Sequence, residues 1–545
     1  MTEFKSINGD EIYQILIDIC EFGYRRIGTP EALKAEKYIY DKLIEVGIKD
    51  TKLEEFEFPK WTPKKYQLTI FAEKTPLIAK DHEIETFPYW STGSTGPEGI
   101  EGEVVYVGNG TSVDFNNIDV KGKIVLVEGK MILNFHTTHS GLSFKSQVLA
   151  KQAGAIGIIC INGSPLDSIS YLFNSSMHGW KRRLPALSIG NSDGVYLKSL
   201  CSKSKVYAKL VLDVKKEKGQ SNIILGTLPG KSEDIILVGT HTDSTFTGAV
   251  DNAGANAGLI SLAKHFSNIP LEQRNKTIVF AAWSGHEAGL IGVERFAKTH
   301  QEMLKKISTF IMLDGFASNG YKNQADGGVI RTGEDEQRGL FISDNPVLLP
   351  EVIDAVLKYR LLPAAYVSAK RLPVSDISPF IFSNVPTIMI IGKPIWYHTI
   401  HDTIDKCTPD QLERSGKAHA QIITNLLNIP GEKIKEADGK LTNIKEFINK
   451  KEGIQAPIGT FTTFPYPIVE NFSAYFVPVP MHAPDSIILD ATWDFGDGES
   501  DSILLTRHEY KKPGIYDVSC TYTDNYGNTS TVKRKVHVIK EQIKD

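Results

Sequence analysis

The stretch from Asp234 to Gly254 constrains the fold more than any other part of the chain. Ile235, Ile236, Leu237 and Val238 form an apolar run with no polar interruption, the pattern of a parallel strand buried on both faces, and the run stops at Gly239. His241 and Asp243 therefore fall at a strand's carboxyl end, where open α/β sheets bind their ligands. A second carboxylate, Asp251, lies between Gly248 and Gly254, ahead of an Ala/Leu-rich helix expected from Ala255 to Phe266. Imidazole and carboxylate gathered at one strand end suit a zinc-like ion, with Asp243 placed to hold the second ring nitrogen of His241. Taken alone, the same residues also fit a strand-end histidine flanked by capping aspartates.

A chain of 545 residues is too long for one core, so roughly three or four domains are expected. Net charge is −4 with Lys and Arg spread among Asp and Glu, which gives no basis for a nucleic-acid partner or an anionic membrane surface. The five cysteines, Cys20, Cys160, Cys201, Cys407 and Cys520, are scattered and lack CxxC spacing, so they read as small buried hydrophobes. No basic and apolar leader stands at Met1–Asp10, and no apolar run approaches the ~18 residues of a membrane span. Read this way, the chain is expected to be cytoplasmic, with no membrane span.

The chain opens with two helices between Gly9 and Gly47. In the second, Thr29 caps, Pro30 takes the first helical position, and Ala35, Tyr38, Ile39 and Leu43 share one face. A strand-like segment from Lys52 to Phe58 follows. After the insert described below, strands at Thr277–Trp283, Ser308–Leu313 and Val385–Ile391 alternate with helices near Leu290–Met303 and Pro350–Tyr359, which completes a doubly wound α/β pattern. Acidic or imidazole groups follow each strand: His286 and Glu287, then Asp314, then His398, His401 and Asp402, with Tyr397 directly before His398.

Between these elements, Val104–Val107, the run Val120-Lys-Gly-Lys-Ile-Val-Leu-Val127, Gly154–Cys160 and Leu184–Ser188 resemble the protease-associated (PA) domain over about 96–214. That resemblance implies a β-rich insert shaping access to a neighbouring peptidase site. Near the C-terminus, Trp493-Asp-Phe-Gly-Asp-Gly498, His508-Glu-Tyr510, Gly514-Ile-Tyr516 and Asp524–Gly527 resemble the polycystic-kidney-disease (PKD) repeat, an immunoglobulin-like β-sandwich. Asp494 and Asp497 are expected to cap its turn rather than bind calcium. Such a module implies surface attachment through glycan or protein contact, and both accessory modules point to an extracellular setting.

His241, Asp251, Glu287, Asp314 and His398 are all ligand types at or beyond strand ends, the number needed for two ions if one carboxylate bridges. Their order, in HxDS…GAxDNxG, WxxxExGLxG, LDG and YHTxxDT, is similar to the co-catalytic di-zinc aminopeptidase and glutamate carboxypeptidase family. The likeness covers 1–95 and about 216–430, with the insert at 96–215, a Lys/Glu-rich solvated helical linker at 431–457 and the sandwich at 458–540. The resemblance implies two Zn2+ bridged by Asp251, with His241 and Asp314 completing one site and Glu287 and His398 the other. It also implies Asp243 as the partner of His241, Tyr397 as an oxyanion donor, and Ser375-Asp376 as the counterpart of an SDHxxF segment in which Ile377 replaces the histidine.

One position departs from the family pattern. Where catalytic members carry a glutamate base, directly before the second-site ligand, this chain has His286. An imidazole with an ordinary pKa near ~6.5 can serve as that base at neutral pH. Alternatively His286 ligates and Glu287 acts as base, or the chain keeps metal and lacks efficient hydrolysis, as a binding protein of the same fold. The expected function is a metal-dependent exopeptidase, an aminopeptidase acting on peptides. Arg331 and Arg371 are the candidates for reading a substrate carboxylate, although surface arginine explains both.

Overall fold

The computed structural model describes residues 4–116, 118–128, 144–162, 167–169, 183–324, 328–392 and 395–540. A mixed sheet crosses the molecule in the order Asp50–Ile70, Val206–Leu228, Thr277–Trp283, Ile235–His241, Ile307–Leu313, Thr387–Gly392, Arg338–Ile342 and Ala364–Ser368. The strand Ile235–His241 lies at its centre, with parallel neighbours on both sides. The uninterrupted apolar run Ile235–Val238 follows from this, because both faces of the sheet are covered.

On one face Ile236, Val238, Ile278, Phe280, Ile311 and Leu313 pack under the helices Gly9–Cys20, Pro30–Glu45, Gly254–Ser267, Leu348–Lys358 and Pro409–Leu427. On the other, Leu237, Val279, Trp283, Phe310 and Met312 meet the helices Ile291–Thr299 and Ser378–Phe382. The helix Pro409–Leu427 starts where Thr408 accepts from the Gln411 amide and proline fills the first helical position. The single helix expected over Leu290–Met303 is two, Ile291–Thr299 and Gln301–Lys306, joined at His300.

The insert is a parallel array of Gly96–Tyr106, Ile124–Glu128, Gly157–Ile161 and Ala186–Ile189. It hangs on an antiparallel ribbon in which Asp50–Ile70 pairs with Val206–Leu228 from Asp50 opposite Thr227 to Ile70 opposite Ala208. Phe56 and Phe58 of this ribbon belong to the core of the main domain, and Leu68 and Ile70 to that of the insert. The second strand runs straight through position 215, where a boundary was expected. Lys215, Lys216, Glu217 and Lys218 are polar because the middle of the ribbon is largely exposed.

In the C-terminal module, Ile487–Asp494, Gly514–Asp524 and Thr529–Ile539 form one sheet, and Ile458–Phe464, Ala474–His482 and Thr506–His508 another. Trp493 is buried between them, against Phe461 and Phe476. Asp494 accepts from the Gly496 amide and Asp497 from the Glu499 amide and the His508 ring, which is turn capping as expected.

The segment 431–457 is not simply solvated. It holds the helix Gly431–Ala437 and a turn at Ile444–Phe447, and buries Ile434, with Leu441, Ile444, Phe447 and Ile448 packed on the main core. Those apolar residues are thinly spaced among lysines and glutamates, which hid their common face. All five cysteines are free thiols, four of them buried. No described helix is long and apolar enough to cross a membrane.

Candidate metal centre

His241 is the last residue of its strand, and Asp314 directly follows the neighbouring strand Ile307–Leu313. Asp251 lies in the turn Ala249–Ala253 that leads into the helix Gly254–Ser267. Glu287 comes from the loop after Thr277–Trp283 and His398 from the loop after Thr387–Gly392. All five side chains are buried, and the fold brings all five together.

The Asp251 carboxylate stands between two pairs. His241 Nε2 is 3.2 Å from Asp251 Oδ1 and 3.9 Å from Asp314 Oδ1. On the other side His398 Nε2 is 3.6 Å from Asp251 Oδ2 and 2.8 Å from Glu287 Oε2. Each oxygen of Asp251 thus faces one imidazole with a second carboxylate beside it.

Surrounding groups fix these donors. The Nδ1 of His241 lies 3.0 Å from the main-chain oxygen of Asp243 and 3.6 Å from its Oδ1. Asp243 therefore meets the second ring nitrogen chiefly with its carbonyl, because its carboxylate accepts the amides of His286 at 3.1 Å and Glu287 at 3.0 Å. Asn252 donates to the Leu313 carbonyl and accepts from the Gly315 amide, tying the Asp251 turn to the Asp314 loop. Asn256 donates to the carbonyls of His241 and Asn252.

Three further residues shape the centre. Asp402 accepts the amides of Val250 at 2.9 Å and Asp251 at 3.1 Å. Burial, with the charge of Asp251, pushes its pKa up to about 7 against the pull of those amides. Arg25 is fully buried and donates to the carbonyls of Thr247 and Gly248 in the Asp251 loop. Asp376 accepts from Trp283 Nε1 at 2.8 Å and lies 3.1 Å from His286 Nδ1. Neither Arg25 nor Asp376 has a side-chain role that composition or spacing reveals, since their partners come from distant segments.

His286 stacks on His241 with ring centroids 4.1 Å apart. Burial and His241 both disfavour charge on it, yet Asp376 and Glu287 outweigh them and hold its pKa above the ordinary imidazole value. Burial also works against charge on His241, and Asp243, Asp251 and Asp314 raise its pKa well above normal. Tyr397 is buried with its ring stacked on His398, centroids 3.6 Å apart. Arg331 lies on the exposed strand Val329–Asp335 and donates to Asn319 Oδ1. Arg371 faces Asp501 of the sandwich at 3.4 Å.

The donor chemistry fits divalent cations. Asp243, Asp251, Glu287, Asp314, Asp376 and Asp402 are buried near one another, a charge density that imidazoles and one guanidinium alone would stabilise poorly. Donor atoms of His241, Asp251 and Glu287 all lie within 4.8 Å of one another, as do those of His241, His286 and Asp314. Nitrogen and carboxylate donors without thiolate suit zinc held by its usual N/O ligands.

A doubly wound α/β domain with such a cluster beyond its strand ends has the donors and the location that metal-assisted chemistry requires. Residues 222–423 match the model of peptidase family M28, 100–197 the PA domain and 456–539 the PKD domain. Along the chain the PA match thus precedes the M28 match and the PKD match follows it. The chain is 28% identical over 225 residues to leucine aminopeptidase 2 of Trichophyton rubrum, covering 41% of this chain and 42% of that one. The match thus spans about two fifths of that relative's length. Among solved structures, the zinc aminopeptidase BSAP from Bacillus subtilis superposes with a TM-score of 0.61 at 20% identity, over 77% of this chain and 95% of the other. An aminopeptidase from Aneurinibacillus gives a TM-score of 0.55 at 22% identity, over 80% and 95%.

Proposed function

We propose that this protein is a zinc-dependent aminopeptidase. Asp251 would bridge two Zn2+, with His241 and Asp314 holding one and Glu287 and His398 the other. The observation that carries the reading is the division of the Asp251 carboxylate, one oxygen towards His241 and the other towards His398. The aminopeptidase names of the relatives support the reaction class. When bound, zinc would supply Lewis acidity for the scissile carbonyl and acidify the attacking water.

His286 takes the proton from that water and returns it to the leaving amine. Asp376 on Nδ1 fixes the ring so that Nε2 is the nitrogen available for this exchange. Asp243 sets the loop, because its carboxylate carries the amides of both His286 and Glu287. Tyr397 stacks on the His398 ring and is our candidate for the hydrogen bond to an oxyanion formed beside it.

A second reading has an observation of its own: the donor atoms of His241, His286 and Asp314 lie within 4.8 Å, so His286 could ligate and leave Glu287 as the base. Zinc analysis together with hydrolysis of aminoacyl-anilides and N-blocked peptides decides between them. The first reading expects cleavage of free-amine substrates only. It also expects His286→Ala to keep its zinc while losing rate, and His286→Glu to remain active. Loss of zinc from His286→Ala would favour the ligand role, and no hydrolysis by the zinc-loaded natural chain would overturn both.

A further inference from the structure

The loop from Ala369 to Ile377 connects the strand Ala364–Ser368 to the centre. At its far end Ser375 Oγ donates to Asp314 Oδ2 at 3.1 Å, and Asp376 meets Trp283 Nε1 and His286 Nδ1. Ser375 has a φ of 54°, a left-handed conformation that a serine keeps only where its surroundings enforce it.

The near end of this loop leans on the C-terminal module. Leu372 packs with Phe464, Val477 and Leu505 of the sandwich. Arg371 faces Asp501, and Lys370 pairs at 2.7 Å with Asp438 of the connecting segment. The strand before the loop takes the sandwich strand Ile487–Asp494 as a parallel neighbour, with Ala364 opposite Ile487, so the sandwich continues the peptidase sheet. A module serving only as a surface anchor has no need of these contacts.

We propose that the C-terminal β-sandwich is a positioning element of the metal centre: by seating Leu372 it fixes the loop 369–377, and through Ser375 and Asp376 it orients the Asp314 carboxylate and the His286 imidazole. The inference rests on the metal-centre reading above. Leu372, Ser375 and Asp376 are positioning residues here, since they act through the groups they touch. Groups that hold a ligand in orientation typically contribute about 10–100-fold in metal affinity, which sets the size of the effect.

The test compares full-length Leu372→Ala and Leu505→Ala with Val536→Ala. Val536 is equally a buried sandwich residue, but it lies on the strand Thr529–Ile539, two strands beyond the docking edge. Three quantities are read: Tm, zinc affinity by chelator competition, and hydrogen exchange of residues 369–377. Leu372→Ala and Leu505→Ala are expected to weaken zinc binding about tenfold or more and to speed exchange in the loop. Leu372→Met should restore both, and Val536→Ala should leave both at the natural level despite a lower Tm. Should Leu505→Ala not fold, the partly exposed Leu372→Ala carries the comparison. Equal zinc affinity and equal loop exchange in the Leu372→Ala and Val536→Ala proteins would overturn the proposal. If the natural chain takes up no zinc, the metal reading falls, while loop exchange still decides whether the sandwich holds the loop.

Discussion

The two halves of the candidate centre are built in different ways. His241 and Asp314 stand at the ends of adjacent parallel strands, fully buried, with His241 Nδ1 and Asp314 Oδ2 each already engaged. Glu287 and His398 come from loops: the Glu287 amide rests on Asp243, and His398 sits at a φ of 58° with Tyr397 stacked on its ring. Backbone ladders place the first pair, whereas side-chain contacts place the second. A donor set held by a sheet loses less freedom on binding an ion than one held by loops, so the His241–Asp314 half should bind more tightly.

Asp251 is common to both halves, and its removal should have the largest effect. Asp251→Ala is expected to strip both ions and reduce hydrolysis to background, measured by elemental analysis and anilide turnover. One ion retained at full occupancy would break the idea of a shared ligand. Next in size, His286→Ala should lower kcat by ~10²–10⁴ with zinc content and KM unchanged, because it removes a proton carrier and not a donor.

The asymmetry itself is sharpened by zinc titration of the metal-free chain, which should resolve two phases. His398→Ala should keep the tighter phase and lose the weaker, and His241→Ala the reverse. If both substitutions removed the same phase, the two halves would not be independent.

The smallest effect concerns Glu36, which accepts from Ser221 and Asn222 and interacts with Ser284 under the Glu287 loop. Burial, partly offset by these donors, raises its pKa from 4.5 to about 7. A carboxyl whose pKa rises on folding takes up a proton on folding, so its contribution to stability is present below about 4.5 and lost as pH rises to about 7. Glu36→Gln should flatten that slope, a change of up to ~3 kcal/mol at ~1.4 kcal/mol per pKa unit, seen as urea midpoints at pH 5 and 8. An unchanged slope would mean that Glu36 is charged in the folded protein.

How far the sequence reveals this site follows from the same contrast. His241 and Asp314 are legible because the apolar runs Ile235–Val238 and Phe310–Leu313, buried on both faces of the sheet, end just before them at the ligand edge. Glu287 and His398 carry no such periodic signal and are found only through the order of short motifs. Asp402 and Asp376 enter the sequence reading only as members of short motifs and Arg25 not at all, and the roles of all three escape it, since each acts on main-chain or ring atoms far away in sequence. The ribbon partner Val206–Leu228 is masked by the exposed lysines at its middle. The strands Arg338–Ile342 and Ala364–Ser368 are too short for their alternation to stand out. The docking of the sandwich is tertiary, made by Leu372 and a two-residue strand pairing that no local pattern encodes.

The central claim is tested most directly by anomalous scattering at the zinc edge from crystals of the zinc-loaded protein. The account predicts two peaks, one bonded to His241 and Asp314 and the other to Glu287 and His398, each within bonding distance of a different oxygen of Asp251. A single peak, or two peaks of which only one touches Asp251, would contradict it.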